Sequence, residues 1–283
     1  MRKISISRQI LTQVVFLLVG LFILIPIWST VRLAFDGSLR GRPTTFTWLP
    51  KEFSLEAFLN VLDRPYQSVE FSILLRNSMV VSIGAAVLAL LLGVSLAYAF
   101  ARFRFPGQTA GLFVLLLTAL LPPIAFATPL YIILSILKIR ATLIGLVIVY
   151  AAFAMPFGIW NMRAAFQAIP KEVEEAAYLD GASHFQSFLW ISLPISLPSI
   201  AVTAMIAFLM GYTEFAIGWL FVDKAANVTL SMAVYALVNG QFSGAQPWSY
   251  LGSLAIIMSI PVIIIFIIFQ ETLMERLLFQ ETS

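Results

Sequence analysis

"EEAAYLDGASHFQSFLWISLPISLP", residues 174–198, opens on two glutamates, turns at a glycine, and closes on two Leu-Pro pairs. It sits in a chain of 283 residues that is 60% hydrophobic and 11% charged, with a mean hydropathy of +0.96. An acidic, helix-forming island in so apolar a chain needs a reason. The reason depends on which side of a membrane the island faces.

Soluble domains carry about a quarter charged residues, so this composition points to a membrane. The gaps between charges mark the spans. Arg8 to Arg32 encloses 23 uncharged residues, Arg76 to Arg102 encloses 25, and Arg104 to Lys138 encloses 33. Arg140 to Arg163 encloses 22, Asp180 to Glu214 encloses 33, and Lys224 to Glu271 encloses 46. A helix needs roughly 20 apolar residues to cross the hydrocarbon. Each gap therefore holds one span, and the spacing predicts helices over 9–31, 77–101, 110–137, 141–160, 195–220 and 251–269. The expected fold class is an all-α integral membrane protein with six transmembrane helices. A cleaved signal peptide is the rival for the first span, since Arg2, Lys3 and Arg8 suit its basic start. The apolar run is too long for that, and no A-x-A-like site follows it.

Orientation follows from Lys and Arg in short loops. Arg2, Lys3, Arg8, Arg102, Arg104, Arg163, Lys171 and Arg276 fall on one side, against Lys138, Arg140 and Lys224 on the other. The segment from Arg32 to Arg76 adds six cations to the second side, nearly balanced by five acids. Long segments count weakly in this rule. Both termini and the island are thus expected in the cytoplasm. The resulting division is 1–31 (N-tail and first span), 32–76 (extracytoplasmic loop), 77–269 (five-span core, with the island loop at 169–198) and 270–283 (cytoplasmic C-tail).

The chain has no cysteine, so disulfides, thiolate nucleophiles and cysteine metal sites are excluded. The one histidine, His184, forms no metal cluster and reads as a solvated loop residue. No metal site and no bound cofactor are expected.

Three further stretches stand out. In the outer segment, Ser54 suits the cap of a short helix whose Leu55, Phe58, Leu59 and Leu62 share a face. That face either covers the outer ends of the spans or docks an external partner, and internal packing is the usual fate of such a stripe. In the third span, Pro122, Pro123 and Pro129 disturb the helical ladder, which a bilayer tolerates beside protein or a water-filled cavity. In the fifth, Thr203, Ala207, Gly211, Glu214 and Gly218 recur at helical spacing, so small residues and one acid share a face. These residues are candidates for a translocation path or a seam with a second subunit. A solvated interfacial carboxylate is the plain alternative for Glu214.

The island assembles from local physics. Pro170 suits a first helical position, and Glu172, Glu174 and Glu175 favour the positive end of the helix dipole. Gly181 suits a left-handed stop, and Ser183 with Gln186 forms a capping-box pattern for a second short helix. The result is a helix-turn-helix on the cytoplasmic surface. Between Asn161 and Trp190 its net charge is −2, which opposes phosphate binding and excludes nucleic acid as partner. Small residues flanked by acids suit a groove on another protein, and a purely structural surface helix is the alternative.

Glu175-Ala176-Ala177, then Gly181, Ile191 and Leu193-Pro194, resembles the EAA loop of ABC importer permeases. Asn77-Ser78, "AYAFARFRFPG" (97–107), "LPPIAFATPL" (121–130) and "IPKEVEEAAYLDGAS" (169–183) resemble the maltose-type (MalG-like) sugar permeases. "YTEF" (212–215) resembles that family's Trp-Asn-acidic-aromatic motif, with Tyr and Thr in the first two places. The tail "ETLMERLLFQETS" departs from the Gly-rich, Lys-ended tail of relatives. The resemblance implies a type I ABC importer permease in a bacterial or archaeal inner membrane. It also implies a second permease of similar fold, two copies of an ABC ATPase, an extracytoplasmic sugar-binding protein and surrounding membrane lipid. ATP and Mg would sit on the ATPase, since no lysine here follows a glycine as a P-loop requires. Glu174, Glu175, Ala176, Ala177, Asp180, Gly181, Ile191, Leu193 and Pro194 would couple hydrolysis to transport of a di- or oligosaccharide. An ion-coupled secondary transporter, with Glu214 as coupling acid, is the main alternative, but no internal repeat supports it. An intramembrane enzyme would need paired catalytic groups at membrane depth, and none is evident.

Overall fold

The computed structural model describes residues 5–39, 41, 43–238 and 248–280, and among these the regular structure is helical. Arg2, Lys3, Arg40, Arg42 and the last three residues of the C-tail lie outside the described residues. The helices are α1 (Ile6–Ala34), α2 (Glu56–Asp63), α3 (Phe71–Arg102), α4 (Gln108–Leu120), α5 (Ala127–Ile136), α6 (Leu143–Ala168) and α7 (Lys171–Leu179). They continue with α8 (His184–Ser187), α9 (Leu193–Ile195), α10 (Leu197–Thr213), α11 (Ala216–Phe221), α12 (Leu230–Val238) and α13 (Trp248–Gln280). A π-helical turn, Phe188–Ser192, joins α8 to α9.

Four helices are long and apolar enough to cross a membrane: α1, α3, α6 and α13. Two bent pairs, α4 with the stretch Pro123–Ile136 at 107°, and His184–Ile195 with α10 at 75°, each form a broken span or a re-entrant loop. Six spans result when each bent pair counts as one. The sequence boundaries need three corrections, the first at the second span, whose helix starts at Phe71 instead of 77 and so carries Arg76 within it. The fourth span runs on to Ala168 instead of stopping at 160, because no proline or glycine stands between Trp160 and Pro170. The fifth ends at Thr213 and not at 220, because Glu214 takes an extended conformation, with φ −71° and ψ 135°.

The described helices sort into two compact units. In the first, formed by residues 1–71 and 236–260, the apolar stretch of α1 is exposed along its length, a surface suited to lipid. Its last turn packs on the start of α13, where a Cβ on Gly252 would lie 2.8 Å from the Ala34 amide nitrogen. Ser253 Oγ donates to the Ala34 carbonyl (3.3 Å). Arg32 and Asp36 are both buried here and 3.6 Å apart. Helix α2 turns a different face inward from the one expected. Ala57 and Val61 are buried, while Leu55, Leu59 and Leu62 are exposed. Small Ala57 permits the close approach, and Asn60 donates to the Tyr250 hydroxyl (2.6 Å), which fixes that rotation. Only Phe58 of the expected stripe reaches inward, against Phe35.

The second unit, residues 72–235 and 261–283, is organised by α6 with α10, and by α3 packed against both. Its core at one end gathers Ala97, Tyr98 and Phe100 of α3 with Ile159, Met162 and Phe166 of α6. Thr142 caps α6 by accepting from the Gly145 amide (3.2 Å).

Candidate functional site

The surface helix α7 begins at Lys171, one place later than expected, with Pro170 as its cap residue. Its end is a two-bond glycine stop. Gly181 has φ +86°, its amide donates to the Tyr178 carbonyl (3.1 Å), and the Ala182 amide donates to Ala177 (2.9 Å). Glycine suits this place because its missing Cβ makes the left-handed conformation cheap. The capping box is also formed: Gln186 N donates to Ser183 Oγ (3.3 Å), and Ser183 N donates to Gln186 Oε1 (2.8 Å). His184 is exposed, as a solvated residue would be, and its ring meets Tyr178 edge-on at 4.7 Å.

Helix α7 has two unlike faces. Glu174 and Ala177, three residues apart, are buried, whereas Glu172, Glu175, Ala176 and Leu179 are exposed. Leu179 is 90% exposed, the barest large apolar side chain of the island. The sequence reading groups Glu174 and Ala177 with the partner-facing residues, and the structure turns both inward. Arg102 Nε, at the end of α3, donates to Glu174 Oε1 (2.9 Å). Arg102 Nη2 donates to the Ile169 carbonyl (3.0 Å), just before α7. Ser192 Oγ, in the π turn, donates to the same Glu174 oxygen (2.5 Å). One carboxylate thus ties α3, α7 and the approach to α10 together. Glu175, Ala176, Asp180, Gly181 and Pro194 remain exposed, with Ile191 and Leu193 half-buried.

The small-residue stripe of α10 faces other helices of the same chain. A Cβ on Gly158 of α6 would sit 2.6 Å from Thr203 Cγ2, and one on Gly211 would sit 2.9 Å from Ser82 Cα of α3. Ala207 is fully buried. Asn161 Nδ2 donates to the Ser199 carbonyl (2.9 Å) and to Thr203 Oγ1 (3.0 Å), a link that sequence spacing did not single out.

The stripe stops with α10, so Gly218 does not continue its face. Glu214 instead opens the next helix. Its carboxylate accepts from the amides of Ile217 (2.9 Å) and Gly218 (3.3 Å) at the start of α11, and from the Tyr150 hydroxyl (2.7 Å). A carboxylate at orphan amides of a helix start is favourable by both hydrogen bonding and dipole. The Ser231 hydroxyl donates to its carbonyl (2.8 Å). The acid is half-buried and takes a structural part at the junction of α10 and α11.

In the third span Pro122 stands at the break and Pro123 opens a 3-10 turn, Pro123–Phe126. Pro129 does not add a kink. It lies in the first turn of α5, where its missing N–H has no helical partner to lose. All three prolines are exposed on this chain.

Residues 89–278, more than half of the chain, match the family described as binding-protein-dependent transport system inner membrane component. The trehalose transport system permease protein SugB of Mycobacterium tuberculosis is 31% identical over 207 residues, 73% of this chain and 75% of that protein. The trehalose/maltose transport system permease protein MalG of Thermococcus litoralis is 27% identical over 277 residues, 96% of each. A chain of a bacterial ABC transporter involved in the import of the acidic polysaccharide alginate has the same fold. Its TM-score is 0.78 at 21% identity, over 96% of this chain and 99% of that one.

Proposed function

Since the chain belongs to the family of binding-protein-dependent transport system inner membrane components, we propose that it is one permease subunit of an ATP-driven sugar importer. It forms half of the translocation path and works beside a second permease of similar fold. Two copies of an ABC ATPase, which hold ATP and Mg, act on its cytoplasmic face, and an external binding protein delivers the cargo. Both termini lie in the cytoplasm, as the Lys and Arg distribution supports. Relatives named for trehalose and for trehalose/maltose support a di- or oligosaccharide as cargo.

The observation that carries this reading is the two-faced α7. Its exposed side, Glu172, Glu175, Ala176 and Leu179, offers acids around a shallow apolar strip, a shape suited to a groove on another protein. Its buried side is fastened by Glu174 to Arg102 and Ser192. A push on the exposed side is therefore carried into α3 and α10 together. Catalysis of ATP hydrolysis belongs to the partner, and this chain converts it into helix movement.

The test is uptake into proteoliposomes holding this chain with its permease partner, ATPase and binding protein. Uptake of labelled trehalose or maltose that requires enclosed ATP and survives ionophores is expected. Uptake by this chain without the ATPase, driven by an ion gradient, would overturn the reading.

A further inference from the structure

Helix α1 carries no charge between Arg8 and Arg32, and none of its residues is buried as far as Trp28, 20 residues after Arg8. At the helical rise that distance is about 30 Å, the thickness of the hydrocarbon layer. Trp28 therefore marks the bilayer boundary remote from Arg8. Its indole Nε1 donates to the Trp48 carbonyl (2.8 Å), which holds a loop at that same depth.

The loop, "PTTFTWLP" (43–50), has no charged residue and is bracketed by prolines. Phe46 (53%), Trp48 (64%) and Leu49 (68%) are exposed, and Phe46 meets Trp48 edge-on at 5.0 Å. Thr47, between them, turns the other way. It accepts from Arg32 Nη1 and donates to the Leu49 carbonyl (3.1 Å). Thr47 is thus held by the end of α1 while Phe46, Trp48 and Leu49 are turned outward, with Thr44 and Thr45 exposed before them. Trp28 itself is 43% exposed, and Leu24 and Ile27 beside it are exposed too, so the loop's apolar surface continues that of the span.

We propose that Phe46, Trp48 and Leu49 form an anchor lying in the headgroup boundary of the bilayer at the far end of α1. Large amphipathic aromatic rings concentrate at this depth, where one edge is apolar and the other wet. The backbone sets the depth as well. Among the described residues, no amide of residues 44–49 donates to another backbone group. Hydrocarbon forbids such open groups, whereas the headgroup layer supplies water to them. The anchor fixes how deep α1 sits, through Trp28 and through Thr47 on Arg32.

The absence of native cysteine makes the test direct. Nitroxide labels are placed singly at Phe46→Cys, Leu49→Cys, Leu17→Cys within the span, and Glu52→Cys on the nearby charged stretch. The full chain is extracted in native-membrane discs, which retain partner subunits. Power saturation then compares collision with oxygen, which concentrates in lipid, and with a water-soluble nickel chelate. Labels at 46 and 49 should show an oxygen-to-nickel ratio several-fold above that at 52 and below that at 17. A ratio equal to that at 52 would mean exposure to water and overturn the anchor. Shielding from both reagents would mean that protein covers the loop, and would overturn it equally. Neither outcome bears on whether the chain imports sugar.

Discussion

Arg102 and Glu174, 72 positions apart in the chain, meet at 2.9 Å with both side chains almost excluded from solvent. Breaking such a pair by removing one partner leaves an uncompensated buried charge and costs about 3–5 kcal/mol, whereas replacing both by apolar groups is often close to neutral. Arg102→Met should therefore destabilise the protein strongly, and Arg102→Met combined with Glu174→Leu should recover most of the loss. Thermal unfolding in detergent, run as a double-mutant cycle, measures this. Additive losses would show that the two residues do not depend on each other.

The exposed face of α7 should behave in the opposite way. Leu179→Ala and Glu175→Lys change exposed side chains, so stability should change by no more than about 0.5 kcal/mol. Binding to the ATPase should fall, because an apolar contact or an attractive charge is lost at the groove. Co-purification with the ATPase in mild detergent, beside the melting temperature, separates the two effects. Full retention of the ATPase by both variants would remove α7 as the docking element.

Gly211 sits where α10 crosses the backbone of α3, and a Cβ there would lie 2.9 Å from Ser82 Cα. Gly211→Leu should therefore act on folding, with overpacking costing about 1–3 kcal/mol or more. The variant is expected to show a lower melting temperature and greater proteolysis of the isolated chain, before any question of transport. Unchanged stability with blocked uptake would instead place Gly211 on the path.

Glu214 holds the start of α11 through two amides and Tyr150. Glu214→Gln keeps one acceptor oxygen and loses the charge, so a loss of about 0.5–2 kcal/mol, the range of a helix cap, is expected. Uptake should follow the remaining folded protein. Normal stability with abolished uptake would show that the charge itself serves transport.

Asp36 gives a pH dependence. Burial pushes its carboxyl up, but hydrogen bonds from the Ser38 hydroxyl and from the Lys51 and Ser38 amides outweigh it, leaving the carboxyl below its ordinary value of 3.8. A depressed carboxylate stabilises fully above the ordinary value and loses that contribution as pH falls through the folded one. The melting temperature of the wild-type chain should drop below about pH 4 more steeply than that of Asp36→Asn, by the same linkage. Equal slopes would mean that Asp36 does not sense this range.

Charge gaps located the four long apolar helices and both bent pairs, because a bilayer leaves few other places for 20 apolar residues, and capping chemistry located the turn of the island. What escaped was rotation. Glu174 and Glu175 are adjacent acids with identical local propensity. Only the meeting with Arg102 decides which turns inward, and no local pattern encodes a contact across 72 positions. The spacing of 174 and 177 against 172, 175, 176 and 179 held the two faces, but without a known inner side they were interchangeable. Helix α2 went wrong for a related reason: bulk marked the leucines as inward, whereas close packing favoured Ala57. The end of α10 at Thr213 carries neither glycine nor proline at the break. The stop comes from Glu214 choosing the amides of the following helix.

The wide π turn at Phe188–Ser192 has a rotational consequence. Ser187 and Ser192 are both fully buried although they are five residues apart. On a regular α-helix that separation would swing the second about 140° away from the first. A π turn closes over five residues instead, so the two hydroxyl groups stay in phase. The π turn thereby keeps Ser187 and Ser192 on one buried side up to the bend at Ser196, beyond which α10 buries Ser199, Thr203 and Ala207. Deleting one residue from the turn would restore a regular ladder and dephase everything on one side of it. A single-residue gap there would then rotate Ser192 away from Glu174 without altering the composition of either helix.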